Sequence, residues 1–369
     1  MKILHVLYEL KFSGAEIMYV DAAPLFRERG CELTVMATAA NPGEYASHFR
    51  QAGFEVVHCP YPRGWRITTR IRFYSQFIHF LKKGRFDVVH IHVNAFMWAL
   101  AFCTWVAGKR SVYTFHSVFP SHRYSYLYHV FQRWSAKNIF ECRFQTISDS
   151  VYEHELSYYH NQTKKVYNWY GAHRFFPSLN GEKKQIREAL DIPQEALVLI
   201  SVGGCSEIKR HSEIVKALPY IVREHPAVVY LHLGEGDVET KEKELAAELG
   251  VSGHVRFYGN QTDVRKFLVA SDIYLMTSKF EGISLTTIEA MACGIPAILY
   301  DVAGLRDFNK NGENSCLIPE DHQLLAKTVI ELYSHPEISE RLSANARELV
   351  DKTYHMEKNV PVIFTLYNQ

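Results

Sequence analysis

Ten consecutive residues, Phe280-Glu281-Gly282-Ile283-Ser284-Leu285-Thr286-Thr287-Ile288-Glu289, set two carboxylates, a glycine and several hydroxyls ahead of a run of helix formers. An apolar stretch, Asp272 to Met276, precedes them, and Gly294 and Pro296 stop the helix that follows. The segment therefore reads strand, loop, helix. Ser284 caps the helix, so Leu285 and Thr286 bring first-turn N–H groups that have no intrahelical acceptor. Together with the positive end of the helix dipole, those donors make a site for a phosphate. Glu289 sits little more than a turn further in, where a carboxylate accepts hydrogen bonds from the hydroxyls of a ribose beside that phosphate. Glu281, with Gly282 and Ile283 completing the loop, faces whatever lies beyond the distal phosphate. A phosphate, a ribose and a further group point to a nucleotide with something attached. A purely structural strand–helix turn is the competing reading.

Other residues suit the same chemistry. In Ser201-Val202-Gly203-Gly204-Cys205-Ser206-Glu207-Ile208-Lys209-Arg210-His211, an apolar strand ends in two glycines. Lys209 follows five residues after Gly204 and places an ammonium on a diphosphate, with Arg210 adjacent. Gly14, in the loop Ser13-Gly14-Ala15-Glu16, lacks a Cβ and lets the backbone come close to a ligand. His116 ends an apolar strand, and His90 and His92 end another; a histidine in such a place is as readily structural as ligating. Glu235 and Asp237, in Leu233-Gly234-Glu235-Gly236-Asp237, can be read as a metal pair.

The elements that must carry these residues alternate twice. Strand patterns at Lys2–Tyr8, Cys31–Ala37, Glu55–Cys59, Asp87–His92, Ser111–Phe115 and Arg143–Ile147 have helical segments between them. A second series runs through Leu197–Val202, Val228–Leu233, His254–Tyr258, Ile273–Met276 and Ala297–Tyr300. Such alternation gives parallel sheets with helices on both faces, here two α/β Rossmann-like domains facing a cleft. The junction is expected near Gly171–Leu179, where Gly171, Pro177 and Ser178 interrupt the pattern. Ligands of such sheets bind beyond the carboxyl ends of the strands, where all the residues above fall.

A chain of 369 residues with a 47% apolar share has room for two cores. Its seven cysteines, at 31, 59, 103, 142, 205, 293 and 316, form no Cys-x-x-Cys. That spacing argues for reduced thiols in a cytosol and against a disulfide or zinc framework. Met1-Lys2 runs directly into the first strand, too short a start for a signal peptide. The most apolar stretch, Val93 to Gly108, is shorter than the ~20 residues that span a bilayer. Charge is divided: residues 1–178 hold 21 Lys and Arg against 12 Asp and Glu, a net of +9, and the remainder has a net of −8. Between Tyr61 and Arg85, seven cations (Arg63, Arg66, Arg70, Arg72, Lys82, Lys83, Arg85) stand among Trp65, Phe73, Tyr74, Phe77 and Phe80 with no acid. His116 to Arg143 is a second aromatic and basic region. Such a surface suits an anionic lipid or a phosphate-bearing acceptor. A solvated helix face over a core is the plainer reading. Nucleic acid is excluded as a partner, since no binding motif accompanies the charge.

Glu281 and Glu289, with seven residues between them and Gly282 after the first, resemble the Glu-x7-Glu signature of family 4 retaining glycosyltransferases of the GT-B fold. The whole run from Phe280 to Pro296 is similar to that family. The resemblance implies a nucleotide-sugar donor in a C-terminal domain, residues 176–353, and an N-terminal acceptor-side domain, residues 1–175, with 354–369 packing back on it. The tail's Met356-Glu357-Lys358 and Tyr367 resemble the family's terminal crossover. Glu289 would hold the ribose and Glu281 the hydroxyls of the donor sugar. Gly14 looks like the glycine-rich loop facing the donor phosphates, with Ser13-Gly14 in place of a glycine pair. His116 resembles the histidine that reaches the sugar, and the Gly203–Lys209 run resembles a loop that normally reads Gly-Arg-Leu and then Lys. Gly204 stands where the arginine is expected, so one of two phosphate-neutralising cations is missing, and the adjacent Arg210 either replaces it or points outward. Glu235 and Tyr258 resemble members of loops beside the nucleoside and base, and Asn168-Trp169-Tyr170-Gly171 a reduced form of a junction motif. The implied catalytic residues are Glu281, His116 and Lys209. The implied reaction is transfer from a UDP-sugar, or next a GDP-sugar, to a hydroxyl of a saccharide or lipid-linked saccharide. It requires no metal and no cofactor beyond the nucleotide-sugar substrate, in the cytoplasm or against the inner face of the membrane. Glu289 on the ribose leaves no evident nucleophile, and the resemblance implies a front-face displacement. An epimerase or phosphorylase of the same fold and a non-catalytic nucleotide-sugar-binding protein are the other classes.

Overall fold

The computed structural model describes residues 1–62, 67–118 and 125–368. The chain divides into two compact units, one of Met1–Asn168 with the segment from Met356 onward, the other of Trp169–His355.

Unit 1 alternates β1 (Lys2–Leu7), α1 (Gly14–Glu28), β2 (Glu32–Ala37), α2 (Ala46–Gln51), β3 (Glu55–His58), α3 (Ile67–Lys83), β4 (Val88–Ile91), α4 (Met97–Val106), β5 (Arg110–Phe115), α5 (Tyr126–Asn138), β6 (Arg143–Thr146), α6 (Asp149–Tyr159) and β7 (Lys164–Lys165). The strands pair in parallel in the order β3-β2-β1-β4-β5-β6-β7. His5 on β1 stands opposite Val35 on one side and His90 on the other. β4 is buried throughout, and β1 and β5 are buried beyond their first residues. Central parallel strands are covered on both faces, which is why they read as continuous apolar runs. The two-residue β7, made of lysines, carries no strand signal in the sequence. The apolar stretch from Val93 becomes the short α4. Its Met97, Leu100, Ala101 and Cys103 are buried while Phe102 and Trp105 reach the surface. Among the described residues no helix is long and apolar enough to cross a membrane.

Unit 2 runs α7 (Glu182–Ala189), β8 (Val198–Val202), α8 (His211–Glu224), β9 (Val229–Leu233), α9 (Glu239–Glu248), β10 (Val255–Phe257), α10 (Val264–Ala270), β11 (Ile273–Met276), α11 (Leu285–Ala292), β12 (Ala297–Tyr300), β13 (Cys316–Ile318), α12 (His322–Ser334) and α13 (Pro336–Thr353). Its parallel sheet has the order β10-β9-β8-β11-β12-β13. β8, β9, β11 and β12 are buried at every residue. Asp272 fixes the entry to β11: it accepts from Lys183 Nζ at 2.7 Å, Arg187 Nη2 at 2.8 Å and Val198 N at 2.7 Å. In both sheets the first strand lies between the second and the fourth. The winding direction therefore reverses between β1 and β4 and between β8 and β11, which opens a crevice at the carboxyl ends there.

The last helix, α14 (Met356–Asn368), belongs to unit 1 and packs on α1 and β5. Tyr367 is fully buried and hydrogen-bonds His90 Nδ1 at 2.6 Å, while Arg143 Nη1 donates to Leu366 O at 2.9 Å. The chain passes from one unit to the other at Asn168–Trp169 and at His355–Met356, so Gly171–Leu179 lies inside unit 2. Beside those crossings, Tyr170 N donates to Tyr354 O at 3.0 Å and Tyr170 bridges His355. None of the seven cysteines is paired.

Candidate functional site

In unit 2 the chemistry-bearing residues lie on the loops that leave the carboxyl ends of β8, β9, β10 and β11. Ser284 is the N-cap of α11, its hydroxyl accepting from Thr287 N at 3.2 Å. The first helical bond runs from Ile288 N to Ser284 O, so Leu285 and Thr286 contribute the N–H groups of the open first turn. Thr286 anchors that turn: its hydroxyl donates to Val202 O at 3.0 Å and meets the Tyr274 phenol at 2.7 Å. The helix start is thus fastened to the ends of β8 and β11, a role for Tyr274 that its place in an apolar strand does not announce. Gly282 and Ile283 are buried under the turn, and Glu289 is half-buried on α11.

Lys209 and Glu281, 72 residues apart in the chain, form an ion pair with Nζ to Oε1 at 2.7 Å. Ser278 Oγ donates to the same carboxylate oxygen at 2.6 Å. The side chains are 24% and 13% exposed, so solvent and salt screen the pair less than one on the open surface. The loops beneath are interlocked. Thr277 Oγ1 donates to the carbonyls of Lys209 at 3.2 Å and Arg210 at 2.9 Å, and Lys279 N donates to Ile208 O at 2.8 Å. Glu281 N donates to Ala303 O at 3.0 Å, where Gly304 at φ +80° leaves space that a Cβ would take from Glu281 O. Gly203 borders the Lys209 stem: a Cβ there would stand 3.4 Å from Lys209 Cε. Gly204 and Cys205 continue this loop, and Cys205 N donates to Glu235 O at 3.1 Å. Gly234, at φ +127°, lets the turn after β9 close against Gly203 O, which any side chain would strike.

Of the two courses open to it, Arg210 takes the one away from Lys209. It caps α8 in the left-handed region, at φ 50°, which rotates its side chain away from Lys209. Its Nε donates to Thr277 O at 3.1 Å, the guanidinium pairs with Glu320 at 2.6 Å, and it lies 5.3 Å from the centre of the Tyr300 ring. Its charge is thereby committed to Glu320, while Lys209 faces Glu281. Glu235 accepts from Asn260 N at 3.3 Å and Nδ2 at 3.4 Å, tying the turn after β9 to the loop after β10. Tyr258, on that loop, packs its ring 4.7 Å from Phe267.

In unit 1, Gly14 opens α1, and the Ser13 hydroxyl hydrogen-bonds the buried Glu16, whose carboxyl pKa is raised by burial. His116, at the end of β5, joins a row of imidazoles. His116 Nε2 meets His92 Nδ1 at 3.0 Å, and His92 Nε2 meets His5 Nδ1 at 3.2 Å. His90 stands beside them, between Thr114 Oγ1 and Tyr367 OH, each at 2.6 Å. Burial depresses all four: His116 to about 4, His5 to about 3, and His90 and His92 well below their ordinary value, with neighbouring imidazoles adding to the shift. All are neutral at pH 7, so each ring passes one N–H to the next and the tautomers are linked. His5 is the member that sequence reading passed over. Its signal was register, since it sits opposite His90 in the sheet.

Comparison with known proteins bears on these loops. The family model for "Glycosyl transferases group 1" matches residues 182–349, and that for "Glycosyltransferase Family 4" matches residues 12–200. The chain is 29% identical over 215 residues to the N-acetyl-alpha-D-glucosaminyl L-malate synthase of Bacillus anthracis, covering 58% of this chain and 55% of that protein. It is 31% identical over 163 residues to the lipopolysaccharide core biosynthesis glycosyltransferase LpsE of Rhizobium meliloti, covering 44% and 47%. The chain spans about half the length of these curated relatives. Among solved structures it is similar to Anabaena Alr3699/HepE in complex with UDP, with a TM-score of 0.84 at 19% identity over the full length of both chains. That likeness, with the two parallel-sheet units, gives the GT-B fold. The Family 4 model reaches across more than half of the residues, and the chain belongs to Glycosyltransferase Family 4.

Proposed function

We propose that this chain is a retaining glycosyltransferase that moves a sugar from a nucleoside diphosphate donor, a UDP-sugar by preference and a GDP-sugar next, to an acceptor hydroxyl. The observation that supports this most is the Lys209–Glu281 pair at 2.7 Å, beside the capped start of α11, where the sheet order reverses. A donor brings a diphosphate that competes for the Lys209 ammonium. Glu281, released from Lys209 and still held by Ser278, then accepts hydrogen bonds from the sugar hydroxyls. The N–H groups of Leu285 and Thr286 and the α11 dipole add to the charge that meets the departing phosphate. The Glu-x7-Glu spacing has a physical sense here, one carboxylate for the sugar and Glu289 for the ribose. Gly203, Gly204, Gly282, Ile283 and Ser284 supply backbone close to the phosphates, Glu235 and Tyr258 belong to the nucleoside loops, and Gly14 and His116 serve the donor phosphates and sugar.

With Glu289 on the ribose, no carboxylate is left as a nucleophile. The bond from the anomeric carbon to the phosphate oxygen breaks while the bond to the acceptor oxygen forms on the same face. The acceptor proton passes to the leaving diphosphate. Catalysis is then positioning and charge stabilisation by Lys209 and the helix start, with no metal in the chemical step. The Anabaena protein of similar fold was solved with UDP and with UDP-glucose, which favours a uridine donor. The lipopolysaccharide role in the name of the Rhizobium relative favours a saccharide or lipid-linked acceptor in glycan assembly. Calorimetric titration with UDP- and GDP-sugars tests the reading. One donor class should bind, and Lys209→Ala should weaken it at least tenfold; no binding by either class, or full affinity in the variant, would refute it.

We further propose that unit 1 lies against an anionic membrane where a lipid-linked acceptor enters. On α5, Leu127, Phe131 and Trp134 form a stripe at four- and three-residue spacing and are 77%, 53% and 54% exposed. α4, which packs on both α3 and α5, adds exposed Phe102 and Trp105. α3 adds exposed Ile67 and Ile71 with Arg70, Arg72, Lys82 and Lys83. Apolar residues rimmed by cations without acids match a headgroup surface. Phe73, one of the aromatics interleaved with the cations, is buried against Tyr61, so Ile67 and Ile71 supply the apolar contact on α3. Arg63, Trp65 and Arg66 lie outside the described residues.

A further inference from the structure

A second cluster in unit 2 takes no part in the transfer chemistry. Cys205, on the loop after β8, His211, the first residue of α8, His232, in β9, and Glu242, in α9, turn their side chains toward one point. One ligand-type atom from each lies within 4.8 Å of all the others. His211 Nδ1 and His232 Nε2 are 2.8 Å apart, and Cys205 Sγ is 3.7 Å from His232 Nε2. The Glu242 oxygens stand 3.8 Å from His211 Nδ1 and 3.5 Å from His232 Nε2. All four residues are buried, and Glu242 is only 3% exposed.

The Glu242 carboxylate and the outer ring nitrogens, His211 Nε2 and His232 Nδ1, are poorly served by the protein, whereas His211 Nδ1 and His232 Nε2 hydrogen-bond one another. Both carboxylate oxygens of Glu242 are buried and make no hydrogen bond of full geometry, the Cys205 thiol and His232 Nε2 being their polar neighbours. Leaving a carboxylate unpaired out of water is among the costlier states a folded chain can hold. A thiolate, two neutral imidazoles and a carboxylate are each ligand types that tetrahedral zinc takes, and their two negative charges cancel that of a divalent ion. Zinc bond lengths at a tetrahedral angle put ligand atoms roughly 3.3–3.6 Å apart. The Glu242–His232 separation lies in that range, the Cys205–His232 and Glu242–His211 separations of 3.7 and 3.8 Å lie just beyond it, and the imidazole pair at 2.8 Å must open by about half an ångström.

We propose that Cys205, His211, His232 and Glu242 form a structural zinc site. With four protein ligands the ion is closed to substrate, so its part is mechanical. Cys205 lies between Gly204 and Lys209 and contacts Gly234 O at 3.5 Å through its sulfur, and His211 follows Lys209 by two residues. An ion here holds the Lys209 loop and the Gly234 turn to β9 and α9, and so sets the position of the ammonium. The inference does not depend on the identity of the transferred sugar or on turnover.

The test uses the full chain purified without a metal-affinity tag or chelator and dialysed against metal-free buffer. Elemental analysis should find about one zinc per chain, and zinc-edge absorption spectroscopy one sulfur at ~2.3 Å with three nitrogen or oxygen neighbours at ~2.0–2.2 Å. Zinc-free protein titrated with Co(II) should develop a thiolate charge-transfer band. That band should be absent in Cys205→Ser and present in Cys316→Ser. The wild-type measurements stand even if a variant fails to fold. Zinc far below one equivalent with no thiolate band on Co(II) addition overturns the proposal, as does a first shell with no sulfur or a band that persists in Cys205→Ser.

Discussion

Lys209 is the residue whose removal should matter most, because Arg210 is committed to Glu320 and cannot take over its place without breaking that pair. Lys209→Ala should lower turnover by at least the ~10²-fold typical of losing one preorganised charge-stabilising group. Steady-state rates at saturating donor check this, and a near-normal rate would show that another cation meets the diphosphate. Glu289→Gln should weaken donor binding, since an amide accepts ribose hydrogen bonds less well than a carboxylate. Competition with free UDP or GDP measures it, and unchanged affinity would remove Glu289 from the ribose. At this scale the sequence spoke through spacing. Glu281, Ser284 and Glu289 sit on one strand–loop–helix passage, so their separations carry geometry. Thr277 gave no such signal, since it acts on the carbonyls of Lys209 and Arg210, brought beside it from about seventy residues away, and Ser278 holds the Glu281 carboxylate from three residues before it with no motif to mark it. Which way Arg210 turns was not legible, because it depends on one left-handed residue at the helix start, which adjacency alone does not reveal.

Among elements, α5 makes the sharpest claim. Its Leu127, Phe131 and Trp134 stripe is the pattern of a core-facing helix, yet it is exposed. Replacing all three by Ser should abolish co-sedimentation with anionic vesicles at low salt while circular dichroism is preserved. Replacing Arg70 and Arg72 by Glu should weaken it and reduce its salt dependence, each cation being worth roughly 1 kcal/mol near such a surface. Wild-type protein that stays in the supernatant would rule out the membrane reading. The strands were legible as elements because parallel central strands are apolar throughout, and their ends were met within a residue or so. β7 and β13 were not. β7 consists of two lysines, and β13, Cys316–Ile318, follows the polar run from Lys310 to Ser315, so neither has the length or flanks of a recognisable strand. The cluster of Cys205, His211, His232 and Glu242 was hidden for a related reason. Its members come from four elements over 38 residues, with none of the short repeats that mark zinc ligands in a sequence.

For the molecule as a whole, the doubled βα pattern revealed two α/β units and the tail's resemblance to a terminal crossover its return to unit 1, while the strand orders required long-range pairing to be seen. The same pairing gathers the histidines of unit 1, with a consequence for stability. His5 at about 3 and His116 at about 4 lie below the ordinary 6.5, so between those values the unfolded chain binds more protons than the folded one. Stability is therefore complete above pH 6.5 and is lost as pH falls toward 4, by about 1 kcal/mol per histidine at pH 5.5. Urea midpoints at pH 7.5 and 5.5 should fall accordingly, and less in His5→Leu; equal midpoints would contradict the buried, neutral state of the row.

The central claim is transfer with retention from a nucleotide sugar. Proton NMR of the enzyme with UDP-glucose or its best-bound donor and an acceptor saccharide, recorded from the first turnovers, tests it most directly. Nucleoside diphosphate should appear in step with a new glycoside whose anomeric coupling constant matches that of the donor. An inverted anomer, or an epimerised sugar released with no acceptor present, would contradict it.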